Sequence, residues 1–285
     1  MPLLSIQSHV TFGHVGNSAA VFPLQRMGWD VWPVHTVLFS NHPGYGAFRG
    51  AVTPVETVRA VLTGLGERGA LGACDGVVSG YVGEAALGDA ILSAVAEARA
   101  ANPKARYVCD PVMGDRHGGL YVADSIPPFM RDRAIPACDA ALPNHFELEV
   151  LTGRRVETLA DARAAADSLR ARGPDVVVVT SLERRGAPEG AIEMLLAAPE
   201  GAWLIETPRL PFDHPPNGAG DLTAALFAGW WLGGTPAHEA LARTASSVFA
   251  VLEETRARGR RELALVAAQD KLVDPPRRFE AHRLG

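Results

Sequence analysis

The feature that most constrains the fold is a regular alternation of short apolar runs with helix-patterned segments along most of the chain. The clearest run, residues 175–180, contains four consecutive valines, as is typical of a strand covered by helices on both faces. This alternation predicts an α/β fold with a doubly wound, mostly parallel sheet and helices on both faces. Ligands of such sheets bind beyond the carboxyl ends of the strands, so we expect a functional site in the segments that follow strands.

The same periodicity predicts the individual elements. Strands are expected at residues 3–7, 30–38, 75–79, 106–109, 140–142 and 175–180, followed by an antiparallel pair at 191–198 and 202–206. Helices are expected at residues 17–27, 54–67, 84–101, 158–172, 221–232, 236–255 and 262–272. No Pro/Ser/Gly-rich linker divides the chain, which favours a single domain over residues 1–285.

Composition limits the class of protein. With 285 residues, 47% of them hydrophobic, the chain can bury a full core without a staple. The net charge of −5 argues against a nucleic-acid partner. Four arginines between residues 256 and 261 are the one basic cluster; we interpret them as the solvated end of a helix rather than as a site for a phosphate polymer.

Cysteine usage and the N-terminus predict a cytoplasmic protein. The chain has three cysteines, Cys74, Cys109 and Cys138. Their odd number and wide spacing argue against a disulfide framework and against a zinc site. The N-terminus lacks the pattern of a signal peptide, and no apolar run is long enough to span a bilayer.

The segment Asn217-Gly218-Ala219-Gly220-Asp221 carries the strongest chemical signal. Its two glycines allow unusual backbone conformations just before a helix, whose free N–H groups and dipole would bind an anion such as a phosphate. Asp221 would place a carboxylate beside that phosphate, where it could accept a proton from an attacking alcohol. The alternative for Asp221 is an ordinary helix-capping aspartate. The segment lacks the Gly-Lys-Ser/Thr ending of a Walker motif.

Two further acids follow predicted strands. Asp110 begins Asp-Pro-Val-Met-Gly, and Glu147 closes Pro-Asn-His-Phe-Glu. Oxygen ligands at such positions could hold Mg²⁺ through water, because Mg²⁺ retains several of its waters. Taken singly, Asp110 could instead be a turn-forming residue and Glu147 a first-turn helix acid. The segment 7–20, between the first strand and the first helix, offers hydroxyl and amide groups for a polar small molecule; a glycine turn with an Asn17 cap is the alternative.

Together these segments resemble the pyridoxal kinases of the ribokinase-like superfamily, most of all their short bacterial form. The resemblance covers residues 3 to about 269 and rests on Gln7-Ser8-His9-Val10, Gly16-Asn17-Ser18-Ala19-Ala20, Phe39-Ser40-Asn41-His42, Ser79-Gly80-Tyr81, Cys109-Asp110-Pro111-Val112-Met113-Gly114, Pro143-Asn144 with Glu147, and Gly218-Ala219-Gly220-Asp221. Related vitamin kinases share the last three; the first three single out the pyridoxal kinases.

The resemblance implies a ribokinase-like fold and ATP-dependent phosphorylation of the 5′-hydroxymethyl group of pyridoxal, giving pyridoxal 5′-phosphate. It also implies Mg²⁺, a monovalent cation such as K⁺, and a homodimer. Carried over residue by residue, it implies a base and anion hole at Asp221, Gly218, Ala219 and Gly220. It implies a pyridoxal pocket lined by Ser8, Val15, His42, Pro43, Gly44 and Tyr81. It implies ATP contacts at Asp110, Leu142, Asn144, Glu147, Thr180, Thr207, Pro208, Arg209 and Leu210, with Asp110 and Glu147 serving the metal through water.

Three positions depart from the family pattern. Relatives often have a polar residue where this chain has Pro43, so recognition of the ring is expected to depend on Ser8 or on the Gly44 backbone. The short bacterial form often has a lysine where this chain has Thr180, and a hydroxyl cannot replace that charge near ATP. Leu120 lies near the place of a cysteine that traps aldehydes in some relatives, so no covalent aldehyde adduct is expected.

Two other functions stay open from the sequence. One is a kinase of broader or different specificity, acting on pyridoxine, pyridoxamine or hydroxymethylpyrimidine; Ser8-His9-Val10 argues against the pyrimidine enzyme. The other is a vitamin B6-binding protein with weak catalysis, which Pro43 and Thr180 would permit. Retention of Asp221 with both glycines argues against that binding protein.

Overall fold

A ten-stranded sheet forms the centre of the molecule. The structure is a computed structural model that describes residues 1–285. Its strands are β1 (Pro2–Phe12), β2 (Asp30–Asn41), β3 (Gly50–Val52), β4 (Gly76–Ser79), β5 (Arg106–Cys109), β6 (Gly114–Asp115), β7 (Gly119–Leu120), β8 (Ala140–Ala141), β9 (Val176–Leu182), β10 (Ala191–Ala198), β11 (Gly201–Pro208) and β12 (His282–Arg283). The strand order is β12-β11-β10-β9-β8-β5-β4-β1-β2-β3, and β6 and β7 form a separate hairpin.

The sheet is parallel from β9 across to β2 and antiparallel at both edges. The helices are α1 (Asn17–Arg26), α2 (Val55–Glu67), α3 (Ala70–Ala73), α4 (Ala85–Ala101), α5 (Ile126–Phe129), α6 (Ile135–Ala137), α7 (His145–Thr152), α8 (Leu159–Arg170), α9 (Ala219–Leu232) and α10 (Ala237–Ala257). A π-helical turn, Met130–Ala134, joins α5 to α6. None of the helices combines the length and the apolar character that crossing a membrane requires.

The valine run of β9 explains why helices cover both faces. Val177 and Val179 belong to a core cluster that contains residues of α4 and α8, whereas Val176 and Val178 belong to a second cluster with residues of α9 and α10. Successive side chains of a strand point to opposite faces, so a continuous apolar run requires a core on each side. The predicted doubly wound, mostly parallel sheet is therefore confirmed.

The helix predicted at residues 262–272 is wrong. That segment forms irregular turns packed against α9 and α10. Only the Ala268 and Leu272 N–H groups bond to the carbonyl four residues earlier, so the bonds do not run through consecutive residues as they do in a helix. The Ala264 N–H donates to Thr255 Oγ1 at 2.9 Å, which ties the segment to the end of α10.

Other differences are confined to element ends and short elements. The strand predicted at 3–7 continues to Phe12, and the pairing of β1 with β2 shifts register between Gln7 and His9. The sequence pattern did not indicate β3, the β6–β7 hairpin, α3, α5 to α7 or β12. Most of these elements are too short to show a periodic spacing of hydrophobic residues.

Candidate active site

The glycine segment 217–221 lies at the start of α9, as predicted. Gly218 is the N-cap residue, with φ +86° and no side-chain cap, so Asp221 lies in the first turn and does not cap the helix. The alternative of a capping aspartate is therefore wrong. A Cβ on Gly218 would lie 1.8 Å from the His14 carbonyl oxygen, so both the left-handed backbone and the close approach require glycine. The N–H groups of Ala219 and Gly220, the first two of α9, have no partner within the protein and are free to bind an anion.

Asp221 lies on the wall of the larger of two neighbouring cavities. Burial raises the pKa of its carboxyl group, while the backbone N–H groups of Gly16 and of Asp221 itself favour the charged form. A carboxylate with a raised pKa is a better proton acceptor near neutral pH than an exposed one. The position and the pKa of Asp221 therefore suit a general base.

Glu147 is fixed by a capping box at the start of α7. Its Oε2 accepts the Asn144 N–H at 2.9 Å, and the Glu147 N–H donates to Asn144 Oδ1, also at 2.9 Å. Its Oε1 accepts the N–H groups of Met113 at 2.8 Å and Gly114 at 3.4 Å. Glu147 is thus a first-turn helix acid, which the sequence offered as the alternative to a metal ligand. It also holds in place the segment that follows Asp110.

Glu147 is 2% exposed. Burial raises the pKa of Glu147 to about 7, even though its three backbone donors favour the charged form. Asn144, which was predicted to lie near ATP, also donates through Nδ2 to the Gly114 carbonyl at 2.8 Å. Both residues line the larger cavity, and both order its wall.

Asp110 presents an unpaired carboxylate to the same cavity. The residue is 7% exposed, its side chain accepts no hydrogen bond from the protein, and its turn is closed by its backbone carbonyl, which accepts the Val112 N–H. Burial, then the charges of Glu147 and Asp221, raise the pKa of Asp110 well above its ordinary value. The cavity wall contains no lysine or arginine to neutralise these acids.

Uncompensated buried carboxylates are costly unless a cation accompanies them. No group of three or more His, Cys, Asp or Glu side chains is placed to bind a metal. The arrangement therefore fits a cation held by few protein ligands, with water or a ligand's oxygens completing the coordination, which is the manner of Mg²⁺.

Replacing Asp110 with asparagine is expected to stabilise the ligand-free protein at pH 8. An acid whose pKa is raised on folding holds its proton more tightly in the folded state, so stability falls as the pH rises from the unfolded pKa to the folded pKa. Asp110→Asn removes this penalty, and we expect its Tm to exceed that of the unmodified protein by roughly 2–8 °C, corresponding to about 1–3 kcal/mol.

The measurement is thermal unfolding of the ligand-free protein between pH 4 and pH 8. The difference in Tm should shrink toward the lower pH, because Asp110 there begins to take up its proton in the unfolded state as well. The exposed Asp213, changed to asparagine, is the matched control and should shift Tm little at any pH. A lower Tm for Asp110→Asn at pH 8 would contradict the electrostatic description.

The larger cavity has a volume of about 570 Å³, which suits a small molecule. All six residues predicted to bind pyridoxal line it, together with Asp221, Gly218 and Gly220: Ser8, Val15, His42, Pro43, Gly44 and Tyr81. Other wall residues were not predicted as ligand contacts, although Asn217 belongs to the predicted anion-binding segment; they are Val10, Val37, Phe39, Val112, Asp115, Tyr121, Asn217 and Ala224. The apolar members among them cannot be distinguished from core residues by sequence.

Pro43 fits its place because it begins a 3-10 turn, Pro43–Tyr45, where no N–H is needed. The Gly44 N–H donates to His42 Nδ1 at 3.1 Å, and burial lowers the pKa of His42, so its neutral ring accepts this bond. The Gly44 carbonyl accepts Arg261 Nη2 at 3.1 Å. Both backbone groups of Gly44 are thus engaged within the protein, which leaves Ser8 as the candidate for recognition of the ring.

Ser8 lies within β1, where the register shift re-aims the strand, and not at a strand end as predicted. Its hydroxyl makes no hydrogen bond within the protein, although the residue is buried in the cavity wall. A free hydroxyl beside an apolar wall can donate to or accept from a ligand's polar group.

A second cavity of about 440 Å³ adjoins the first. It is lined by Ala219 and by four residues that were predicted to contact ATP, namely Thr207, Pro208, Arg209 and Leu210. The remaining predicted ATP residues, Asp110, Leu142, Asn144 and Glu147, line the first cavity. Thr180, Ser181 and Gly220 belong to both walls, so the glycine loop lies where the two cavities meet.

Two features of the second cavity were missed. Ser181 has φ +48°, the one positive value outside glycine, and sits where the pairing of β9 with β10 shifts register. Backbone strain of this kind is frequent at functional sites, but sequence does not reveal it. Ala245, Val248, Phe249 and Leu252 form an apolar stripe of α10 facing the cavity; the helical spacing is visible in the sequence, but it is equally typical of a core-facing helix.

The β6–β7 hairpin borders the first cavity. Asp115 Oδ1 accepts the N–H groups of His117 at 2.8 Å and Gly118 at 2.6 Å, which shapes the hairpin turn. Asp115 and Tyr121 face the cavity, whereas Leu120 lines neither cavity. No cysteine lines either cavity, and Cys74, Cys109 and Cys138 are free thiols buried elsewhere.

Comparison with known proteins identifies the family. A family model described as phosphomethylpyrimidine kinase matches residues 79–264, which is more than half of the chain. Over 284 residues, the chain is 58% identical to a pyridoxal kinase of Rubrobacter xylanophilus, covering 99% of this chain and 97% of that protein. It is 50% identical to a pyridoxal kinase of Leifsonia xyli over the full length of both chains.

Solved structures agree with the sequence relatives. The pyridoxal kinase of Leishmania donovani, solved in complex with ADP and pyridoxine, superimposes with a TM-score of 0.92 and 30% identity, covering 100% of this chain and 99% of that one. The resemblance to pyridoxal kinases and the ribokinase-like fold that it implies are confirmed.

Proposed function

Because this chain belongs to the pyridoxal kinase family, we propose that it uses ATP to phosphorylate the 5′-hydroxymethyl group of pyridoxal, giving pyridoxal 5′-phosphate. The observation that carries the proposal is the position of the glycine loop and Asp221, where a cavity for a small aromatic molecule meets a second cavity. A phosphoryl group passing between two bound substrates must cross that junction.

The acceptor occupies the larger cavity. Val15, Tyr81 and Phe39 provide apolar surface for the pyridine ring, and the free Ser8 hydroxyl contacts its ring nitrogen or 3-oxygen. His42, Pro43 and Gly44 form the wall beside the ring. In this position the 5′-hydroxyl lies next to Asp221, which accepts its proton as the alcohol attacks the γ-phosphorus.

ATP occupies the second cavity, with its phosphates directed toward the glycine loop. The apolar stripe of α10 and Leu210 suit the adenine ring, and the Thr180 hydroxyl and Ser181 lie at the phosphate end. The N–H groups at the start of α9 stabilise the charge that spreads over the transferred phosphoryl group. Most of the rate enhancement therefore comes from alignment and charge stabilisation rather than from the base alone.

Mg²⁺ fits beside Asp110 and Glu147, which would hold it mainly through water. When bound, it supplies positive charge that neutralises the phosphate oxygens.

Dependence on a monovalent cation such as K⁺ remains a prediction from the family resemblance, and a titration of activity with KCl tests it. A cytoplasmic location is likewise part of this proposal, supported by the three free cysteines.

We propose that the protein is a homodimer joined near the β3 edge of the sheet. All three residues of β3 are exposed, and its outer backbone edge pairs with no other strand. Leu38, Phe48 and Val52 are large exposed apolar residues of this region. An unpaired strand edge flanked by apolar side chains is a surface that a second copy can cover.

Light scattering after size exclusion should therefore give about twice the chain mass of 30.2 kDa. Leu38→Glu is expected to shift the protein toward the monomer, because the charge would be buried without a partner. Val266→Glu, at a somewhat more exposed site on the irregular C-terminal segment, is the control and should leave the dimer intact. A monomeric unmodified protein at micromolar concentration would contradict the proposal.

A substrate panel tests the proposed function against its alternatives. With MgATP, pyridoxal should give the highest kcat/KM among pyridoxal, pyridoxine, pyridoxamine and hydroxymethylpyrimidine. Preference for the pyrimidine would favour the activity named by the matching family model. Tight pyridoxal binding without ADP release would instead favour a vitamin B6-binding protein.

A further inference from the structure

Glu262 lies outside both cavities but joins two segments that build the first one. Its Oε2 accepts the His14 N–H at 3.0 Å, and its Oε1 accepts the hydroxyl of Tyr45. Tyr45 ends the 3-10 turn of the His42 loop (residues 42–46), and His14 is part of the Gly13 loop (residues 12–16). One carboxylate therefore ties the loop beside the predicted ring site to the loop beside the glycine segment.

Tyr45 is held on a second side by Arg261. The guanidinium carbon of Arg261 is 4.0 Å from the centre of the Tyr45 ring, and its Nη2 donates to the Gly44 carbonyl. Arg256 lies in the last turn of α10 and Arg258 is its C-cap residue, as predicted, whereas Arg261, also exposed, lies beyond the helix and makes these two contacts. Tyr45, Arg261 and Glu262, here called the Glu262 cluster, fix the outer side of the His42 loop without lining the cavity themselves.

The Gly13 loop carries the contact toward the reacting groups. A Cβ on Gly13, where φ is +97°, would lie 2.3 Å from Glu262 Oε2, so only glycine lets the carboxylate approach this closely. The next residue, His14, packs its carbonyl oxygen against Gly218. The Gly16 N–H, at the end of the same loop, favours the charged form of Asp221. The Gly13 loop therefore connects Glu262 to Gly218 through the His14 carbonyl, and to the proposed base Asp221 through the Gly16 N–H.

We propose that Glu262 is a positioning residue with two separable effects, and this proposal rests on the proposed function. Through Tyr45 it fixes the His42 loop and sets the affinity for the acceptor. Through His14 it fixes the Gly13 loop and aligns Gly218 and Asp221. The first effect matters in this chain because Pro43 offers no polar side chain and the Gly44 backbone is already engaged, so the wall must be held from outside.

Tyr45→Phe tests the first effect. It removes only the hydroxyl and keeps the ring on which Arg261 stacks. Loss of a hydrogen bond to a carboxylate should raise KM for pyridoxal about tenfold. KM for ATP and kcat should stay within about twofold, because neither the nucleotide cavity nor the Gly13 loop is touched.

Glu262→Ala tests the second effect because it removes both bonds. KM for pyridoxal should again rise about tenfold, and kcat should also fall about tenfold, since a small displacement of the reacting groups is costly. Glu262→Gln can still accept the His14 N–H and donate to the Tyr45 hydroxyl, so it should restore both constants to within about threefold. Glu253→Gln, an exposed glutamate of α10 without an ion pair, is the matched control.

Unchanged KM for pyridoxal in Tyr45→Phe, or an equal rise in KM for ATP, would overturn the proposal. Hydrogen exchange distinguishes this failure from failure of the proposed function. The Tyr45 and Gly46 amides, which donate to His42 and Pro43 carbonyls, should exchange faster in Tyr45→Phe and Glu262→Ala. If the unmodified chain did not phosphorylate pyridoxal, the proposed function would fall. Faster exchange would still support the Glu262 cluster, and unchanged exchange would refute it.

Discussion

Asp221→Asn is expected to lower kcat for pyridoxal phosphorylation by about 10²- to 10⁴-fold, the range that loss of a general base produces. Asparagine has nearly the same shape but cannot accept the proton of the attacking alcohol. KM for pyridoxal and for ATP should change less than about threefold, because the base acts mainly in the transition state. Steady-state kinetics with ligand titrations would measure both quantities.

The control for Asp221→Asn is Glu239→Gln, which changes an acid in the first turn of α10 outside both cavities. It should leave kcat unchanged. Near-normal turnover of Asp221→Asn would show that the carboxylate is not the base. A parallel loss of affinity for both substrates would show that Asp221 mainly organises the junction of the cavities.

Gly218→Ala is expected to have the second large effect, on both folding and turnover. Its backbone is left-handed, which costs an L-residue about 1–3 kcal/mol, and the new methyl group would overlap the His14 carbonyl. We expect Tm to fall by roughly 4–10 °C and kcat/KM to fall by at least about 10²-fold, because the N–H groups at the start of α9 are displaced.

Gly220→Ala separates these two effects. Gly220 has ordinary helical geometry, and no atom outside its own helix lies within 4 Å of the place that an alanine methyl group would take. Alanine should therefore leave the Tm of the ligand-free protein unchanged or slightly higher. The methyl group would nevertheless occupy the junction shared by the two cavities. A stable Gly220→Ala protein with reduced kcat/KM is predicted; full activity would contradict passage of the phosphoryl group past this residue.

The layered fold could be predicted because its signals are local and repeated. The valines of β9 fill two cores, one on each face, and the run that shows this is visible in the sequence. The segment 262–272 could not be predicted in the same way. Its apolar residues are placed by contacts with α9 and α10, and they are compatible with a helix in the absence of those contacts.

The acids and glycines of the site could be predicted because each follows a strand or begins a helix within a short motif. Asp110, Glu147 and the glycine loop are of this kind. Ser181 and the Glu262–Tyr45 bond are different. Ser181 is distinguished by its strained backbone, and the Glu262–Tyr45 bond joins residues 217 positions apart. Neither feature leaves a pattern in the sequence.

We propose that this chain transfers the γ-phosphoryl group of ATP to the 5′-oxygen of pyridoxal, with Asp221 as the base. Phosphorus NMR of the product formed from pyridoxal and MgATP tests it most directly. The expected product is a phosphate monoester coupled to the 5′-methylene protons, formed with one ADP per ester and at least about 100-fold more slowly with Asp221→Asn. A product phosphorylated elsewhere, or ATP hydrolysis without ester formation, would show that the 5′-oxygen of pyridoxal is not the acceptor.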